Sequence, residues 1–275
     1  MTSSDRDRLA NEARVTMTPS GGGEMVWRCW GSGRPVVLLH GAHGSWTHWI
    51  RNIEPLAANA TVVVPDLPGH GDSALTAEPG SGSALVRTMA AGLRRVLGRD
   101  APYVLVGFSF GATIAARLAR HDGDRVRSLV VISLGGFGDR ANLRLESVRR
   151  LSEAHEIDAA HRRNLEILMV ADPAAIDAET IRIQRENVER ARIEPRDVDW
   201  PTRTPAEIQA FAGPVVAIYG ERDATIVPSA AHRRDELLAF RPGADVRIVA
   251  GAGHWVQYEA PDAVNAIIRE RNQAR

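Results

Sequence analysis

The sequence predicts an α/β fold: a mostly parallel sheet with helices on both faces and a helical insertion over one edge. Three observations predict it. Short β-branched apolar runs recur without polar alternation, as in Val36–Leu39, Thr61–Val64, Tyr103–Val106, Val126–Ile132 and Val215–Tyr219. Strands that read this way are covered on both faces. Segments of helical periodicity separate them, which is the pattern of right-handed crossovers between parallel strands. The rhythm then stops between Gly136 and Arg203, where Arg, Glu, Leu and Ile dominate and strand propensity is low.

Taken in order, Val15–Met17 and Met25–Trp30 read as two short strands joined across Gly21-Gly22-Gly23, a hairpin with a slightly long loop. After the run at Val36 come a glycine-containing loop and a helix expected over Trp46–Ala58. Further helices are expected over Leu85–Leu97, Phe110–Arg120 and Ser229–Phe240, with a closing helix from Pro261. The last strand is expected at Val246–Val249. Residues 1–22 form a polar N-terminal segment with the first strand, 23–135 and 204–275 the core, and 136–203 the inserted cap. No internal repeat or long low-complexity segment interrupts this order.

The chain has 275 residues, enough for one large core with one insertion. Lys plus Arg and Asp plus Glu number 34 each, so there is no basic footprint for nucleic acid or an acidic membrane. Cys29 stands alone and cannot form an internal disulfide. No run approaches the ~18 apolar residues that span a bilayer. The first residues carry no apolar stretch of the signal-peptide kind. A cytoplasmic protein acting on a small molecule is expected, and a homodimer is left open.

The chemistry concentrates in Gly107-Phe108-Ser109-Phe110-Gly111, a G-x-S-x-G between a strand and a helix. Such a turn lifts the serine hydroxyl clear of the sheet edge. The helix that follows aims its N-terminal N–H groups at a reacting carbonyl. The motif alone arises by chance in about one chain in ten of this length, so it needs partners. His254, in Gly251-Ala252-Gly253-His254-Trp255, follows the last strand and supplies a base. Asp223, in Gly220-Glu221-Arg222-Asp223, follows the strand before it and supplies the orienting carboxylate, with Glu221 the neighbouring alternative. All three then lie at the carboxyl edge of a parallel sheet, in the order Ser, Asp, His. Two N–H donors for an oxyanion are expected from Phe110 and from Ala42 in the loop His40-Gly41-Ala42-His43-Gly44. His40, His43 and His48 also permit a zinc reading, but no second cluster of ligands completes such a site, and His40 is expected to support its loop.

These pieces, with Asp66-Leu67-Pro68-Gly69-His70-Gly71-Asp72-Ser73, resemble the α/β-hydrolase superfamily from about Met25 to the C-terminus. The resemblance implies the α/β-hydrolase fold with an eight-stranded core, a cap at 136–203 and no cofactor. It makes Asp66–Ser73 a structural loop. Within the superfamily, His254-Trp255-Val256-Gln257-Tyr258-Glu259 is similar to the carbon–carbon bond hydrolases of aromatic ring-fission products. Those enzymes usually carry Asn before the nucleophile and Gly-Gly after it. Phe108, preceding Ser109, is more like esterases, lactonases and cofactor-free perhydrolases.

Carboxylic ester hydrolysis is therefore the leading expectation. Carbon–carbon hydrolysis is the runner-up, and a non-catalytic ligand-binding member of the fold is a third option. Residues expected at the substrate are His43, Phe108 and Trp255 from the core and Leu165, Leu168 and Met169 from the cap. Arg185 is the best of the cap arginines for a substrate carboxylate, against the alternative of a solvated face interleaved with glutamates.

Overall fold

The structure is a computed structural model, and it describes residues 5–137 and 141–274. Helix α1 (Asp5–Glu12) leads into strands β1 (Arg14–Ser20), β2 (Gly23–Trp30) and β3 (Pro35–Leu39). Helix α2 (Ile53–Ala57), strand β4 (Thr61–Pro65), helix α3 (Gly82–Leu97), strand β5 (Tyr103–Phe108), helix α4 (Phe110–Asp122) and strand β6 (Val126–Ile132) follow. Helices α5 (Ala154–Asn164) and α6 (Ala178–Glu189) make up most of the regular structure of the insertion. The chain then completes the core with α7 (Thr204–Ala210), β7 (Val215–Gly220), α8 (Ala230–Phe240), β8 (Asp245–Val249), α9 (Val256–Glu259) and α10 (Pro261–Gln273).

The eight strands form one sheet in the order β1-β2-β4-β3-β5-β6-β7-β8. β2 runs antiparallel to both neighbours, and every pairing from β4 to β8 is parallel. Successive side chains of a strand leave opposite faces, and here both faces are covered. Val37, Leu39, Leu105, Ala217 and Tyr219 pack with α3, α4, α7 and α8 on one side. Val36, Leu38, Val104, Val106, Val216 and Ile218 pack with α2, α9 and α10 on the other. That explains the unbroken apolar runs. The edges differ: β8 is only half-buried, and β1 exposes Val15 and Met17.

Two expectations are corrected. The helix over Trp46–Ala58 is a 3₁₀ turn (Trp46–Trp49) followed by the separate short α2. Pro55 cannot donate to the turn before it, so the helix restarts with that proline in its first turn. The side chain of Asn52, between the two pieces, turns inward to Gln257 O and Asn265 Oδ1. The N-terminal segment is not merely polar, because α1 buries Leu9 and accepts a hydrogen bond from Trp30 Nε1 at Leu9 O.

The insertion lies over the carboxyl edge of the sheet. Asn187 of α6 reaches Ser45 and Thr47, just beyond β3. Met169 O accepts from Trp255 N, just beyond β8. Among the described residues no helix is long and apolar enough to cross a membrane.

Candidate active site

The strand-to-helix turn between β5 and α4 holds Ser109 at φ 52° and ψ −112°. This backbone region is costly for a non-glycine residue and persists only where the surroundings over-determine it. Ser109 N donates to Ile132 O, while Ala112 N and Thr113 N donate to Ser109 O. A Cβ on Gly111 would stand 2.3 Å from His40 O, so only glycine lets the turn close against the end of β3.

Ser109, His254 and Asp223 come together as one hydrogen-bonded chain. His254 Nε2 lies 3.0 Å from Ser109 Oγ, and its Nδ1 lies 3.0 and 2.9 Å from the two Asp223 carboxylate oxygens. The Asp223 side chain is fully buried. Burial pushes its carboxyl up, but the adjacent His254 and the Thr225 donors outweigh this and hold it below the ordinary carboxylate range. Thr225 donates to Asp223 Oδ1 through both its amide (2.9 Å) and its hydroxyl (2.7 Å). A serine, imidazole and carboxylate so placed can move the hydroxyl proton to Nε2 while the carboxylate steadies the imidazolium. Glu221, the alternative acid, instead accepts from Gly251 N at the surface.

The loop after β3 is set by two histidines. Leu67 N donates to His40 Nε2 (2.9 Å), which leaves the proton on Nδ1 to donate to Gly41 O (2.8 Å). In a trans planar peptide the N–H points opposite the C=O. Holding Gly41 O inward therefore turns the Ala42 N–H outward. Gly41 N in turn donates to His48 Nδ1 (3.3 Å). His43 sits at φ 48° with Nε2 3.3 Å from the Glu194 carboxylate. Each of these three histidines thus has at least one ring nitrogen engaged elsewhere. Among the described residues no group of three or more His, Cys, Asp or Glu is arranged to hold a metal ion.

His40, His48 and His70 are buried together, with the His40 and His70 ring centroids 5.3 Å apart. Burial pushes His40 down to about 4 and His70 down to about 3, and drives His48 well below 6.5. These rings stay neutral in the folded protein where the unfolded chain would protonate them, so unfolding in mild acid takes up protons. Their stabilisation is complete above about pH 6.5 and falls by about 1.4 kcal/mol per pH unit per ring on acidification. For His40 the loss is complete below about pH 4, and for His70 below about pH 3. The urea midpoint should therefore drop between pH 6.5 and 4.5 at constant m, and His70→Gln should flatten the slope by about one proton. A midpoint that does not move would mean that the folded protein protonates these rings.

Several residues expected at the substrate lie elsewhere. Leu165 and Trp255 are 0 % exposed. Both belong to the apolar cluster on the α10 side of the sheet, and Trp255 stacks on Tyr258 and donates from Nε1 to His48 O. They are core, with no surface for a ligand. Phe108 is also buried, but its ring centroid is 5.1 Å from that of His254, so it forms a wall behind the imidazole. Met169 is buried, while Leu168 and His43 are half-buried and retain accessible surface. Arg185 pairs with Glu189 (3.0 Å) and Asp158 (3.4 Å), which is the solvated-face arrangement and no carboxylate pocket. Thr225 escaped the sequence reading although it had a signal, since an Asp two residues before a Thr favours this side-chain turn. Ser133, at φ 50° and donating to His254 O (2.9 Å), had none.

The alpha/beta hydrolase family model matches residues 36–267. The dihydrolipoyllysine-residue acetyltransferase component of the acetoin cleaving system of Pseudomonas putida is 31% identical, over 85% of this chain and 62% of that protein. The chain therefore spans less than two thirds of that relative. A 2-hydroxy-6-oxononadienedioate/2-hydroxy-6-oxononatrienedioate hydrolase, also from Pseudomonas putida, is 30% identical over 85% of each chain. Among solved structures, a carboxylesterase from Bacillus subtilis superposes with a TM-score of 0.74 at 18% identity, over 97% of this chain and 95% of that one, a likeness of fold alone. With the family model covering most of its length and this sheet order beneath it, the chain belongs to the alpha/beta hydrolase family.

Proposed function

We propose that the protein is a serine hydrolase that cleaves a small carboxylic ester through an acyl-enzyme. The observation that carries this is the unbroken chain Ser109 Oγ–His254–Asp223, with every link at 3.0 Å or less, on a strained serine at a helix N-terminus. Ser109 Oγ attacks the carbonyl carbon as His254 Nε2 takes its proton. The Ala42 and Phe110 amides hold the oxyanion, each donor worth about 2.7–4 kcal/mol in the transition state. His254 then returns the proton to the departing alkoxide. In the second half it deprotonates a water that releases the acyl group from Ser109.

Carbon–carbon hydrolysis of a vinylogous diketone acid is the second reading, favoured by the 30% identical dienoate-type relative. The same three residues would serve it. Against it stands Arg185, already committed to Glu189 and Asp158.

Purified protein tested on short- and long-chain p-nitrophenyl esters, lactones and a ring-fission dienoate, with and without PMSF, separates these readings. Ester turnover abolished by PMSF is expected. A dienoate cleaved with higher kcat/KM than every ester would put the second reading first. Neither turnover nor labelling of Ser109 would leave a ligand-binding protein on this fold.

A further inference from the structure

The backbone on either side of His254 is held by groups distant in sequence. Gly253 N donates to Glu259 Oε2 (2.7 Å), and Trp255 N donates to Met169 O (2.7 Å). The other oxygen of the same glutamate, Oε1, accepts from Ala171 N (2.9 Å) and Asp172 N (3.0 Å), both in the insertion. One carboxylate therefore bridges the loop of the base to the insertion. The insertion returns the contact two residues earlier, through the Met169 carbonyl.

The local shape of the insertion makes this reach possible. Helix α5 runs into a π-helical turn at Leu165–Met169, where Val170 N donates to Leu165 O. Widening the last turn ends the helix with Met169 O and the next amides facing the His254 loop. Such turns are rare and cluster at functional sites. The approach is close enough that a Cβ on Gly253 would stand 2.7 Å from Ala171 N.

We infer that Glu259 is a positioning residue that ties the His254 loop to the helical insertion, so that seating the insertion and aligning the imidazole are one event. The inference rests on the proposed role of His254 as base. Glu259 touches neither Ser109 nor the imidazole ring, and it acts through the Gly253 amide. Both of its oxygens are needed. In a glutamine the single carbonyl oxygen can serve the Gly253 amide or the insertion's amides, and the NH₂ group would face an N–H donor on the other side.

The test compares wild type, Glu259→Gln, Glu259→Ala and Gly253→Ala. Glu221→Gln is the control, because its carboxylate accepts from Gly251 N in the same loop without reaching the insertion. Three readouts are taken: the rate of fluorophosphonate labelling at Ser109 against pH, the low-field proton resonance of the Asp223–His254 hydrogen bond, and the melting temperature. Labelling should slow by about 10²-fold in both Glu259 variants and in Gly253→Ala, as for a reacting group displaced by about 1 Å. The low-field resonance should broaden or vanish well below the melting temperature, and any ester turnover should lose kcat with KM unchanged. Glu221→Gln should behave as wild type. Variants that melt earlier but label at the wild-type rate, with the resonance intact, would overturn the inference. Should Glu259→Ala not fold, Glu259→Gln and Gly253→Ala decide. Should wild type itself fail to label, the serine-hydrolase reading fails separately, and the resonance still decides the part played by Glu259.

Discussion

Replacing Ser109 by alanine is expected to leave a folded protein whose kcat has fallen by about 10⁶, or about 8 kcal/mol of barrier. The fold should tolerate the change. Alanine meets the same backbone demand at φ 52° as serine does, and the amide and carbonyl bonds to Ile132, Ala112 and Thr113 involve no side-chain atom. Only the contact from Oγ to His254 Nε2 is lost. Unchanged circular dichroism and urea midpoint, with loss of turnover and of fluorophosphonate labelling, are the measurements. Retention of more than a few per cent activity, with a labelled residue elsewhere, would remove Ser109 from the mechanism.

Asp223→Asn should be nearly as severe, with kcat lower by about 10⁴ in a protein that still folds. The carboxylate now takes the His254 Nδ1 proton on one side and the Thr225 amide and hydroxyl on the other. An asparagine can present its NH₂ to Nδ1, which forces the proton onto Nε2, where it blocks proton transfer from Ser109. It can instead present its oxygen to Nδ1 and set its NH₂ against the Thr225 amide. Either choice loses a bond or the tautomer. Glu221→Gln should change kcat little, because the Glu221 carboxylate accepts from the Gly251 amide at the surface and from neither His254 nor Thr225. A larger loss from Glu221→Gln than from Asp223→Asn would exchange the two assignments.

The three central residues were legible because each sits in a short segment just after a strand. A parallel sheet with helical crossovers brings all its strand carboxyl ends to one edge. Distance along the chain then stops mattering, and a separation of 145 positions from Ser109 to His254 becomes 3.0 Å. The core strands were legible for a related reason, since burial on both faces leaves no polar position within a run.

Pocket walls were not legible in this way. Leu165, Leu168, Met169 and Trp255 are all apolar, and apolarity says that a side chain leaves water without saying whether it meets core or cavity. Packing makes Leu165 and Trp255 core and leaves Leu168 partly open. Arg185 stood among alternating charges, and the carboxylates of Glu189 and Asp158 claimed it. Helix α1 has a single buried apolar residue, Leu9, too little for a periodic pattern, and its docking beside Trp30 holds it in place.

The sequence by itself determined the class of sheet, the order of its strands along the chain, and the placing of Ser109, Asp223 and His254 each just after a strand. Local propensity, burial pattern and turn chemistry act within a few residues, and they suffice for these features. Only the tertiary structure decided that Glu259 joins the His254 loop to the insertion, that Ser133 and Thr225 brace His254 and Asp223, and that His40 turns the Ala42 amide outward. Each of these depends on a hydrogen bond whose donor and acceptor must meet within about 3 Å and in line. For most of these bonds the partners come from different elements, and only the packing of the whole chain brings them to that distance.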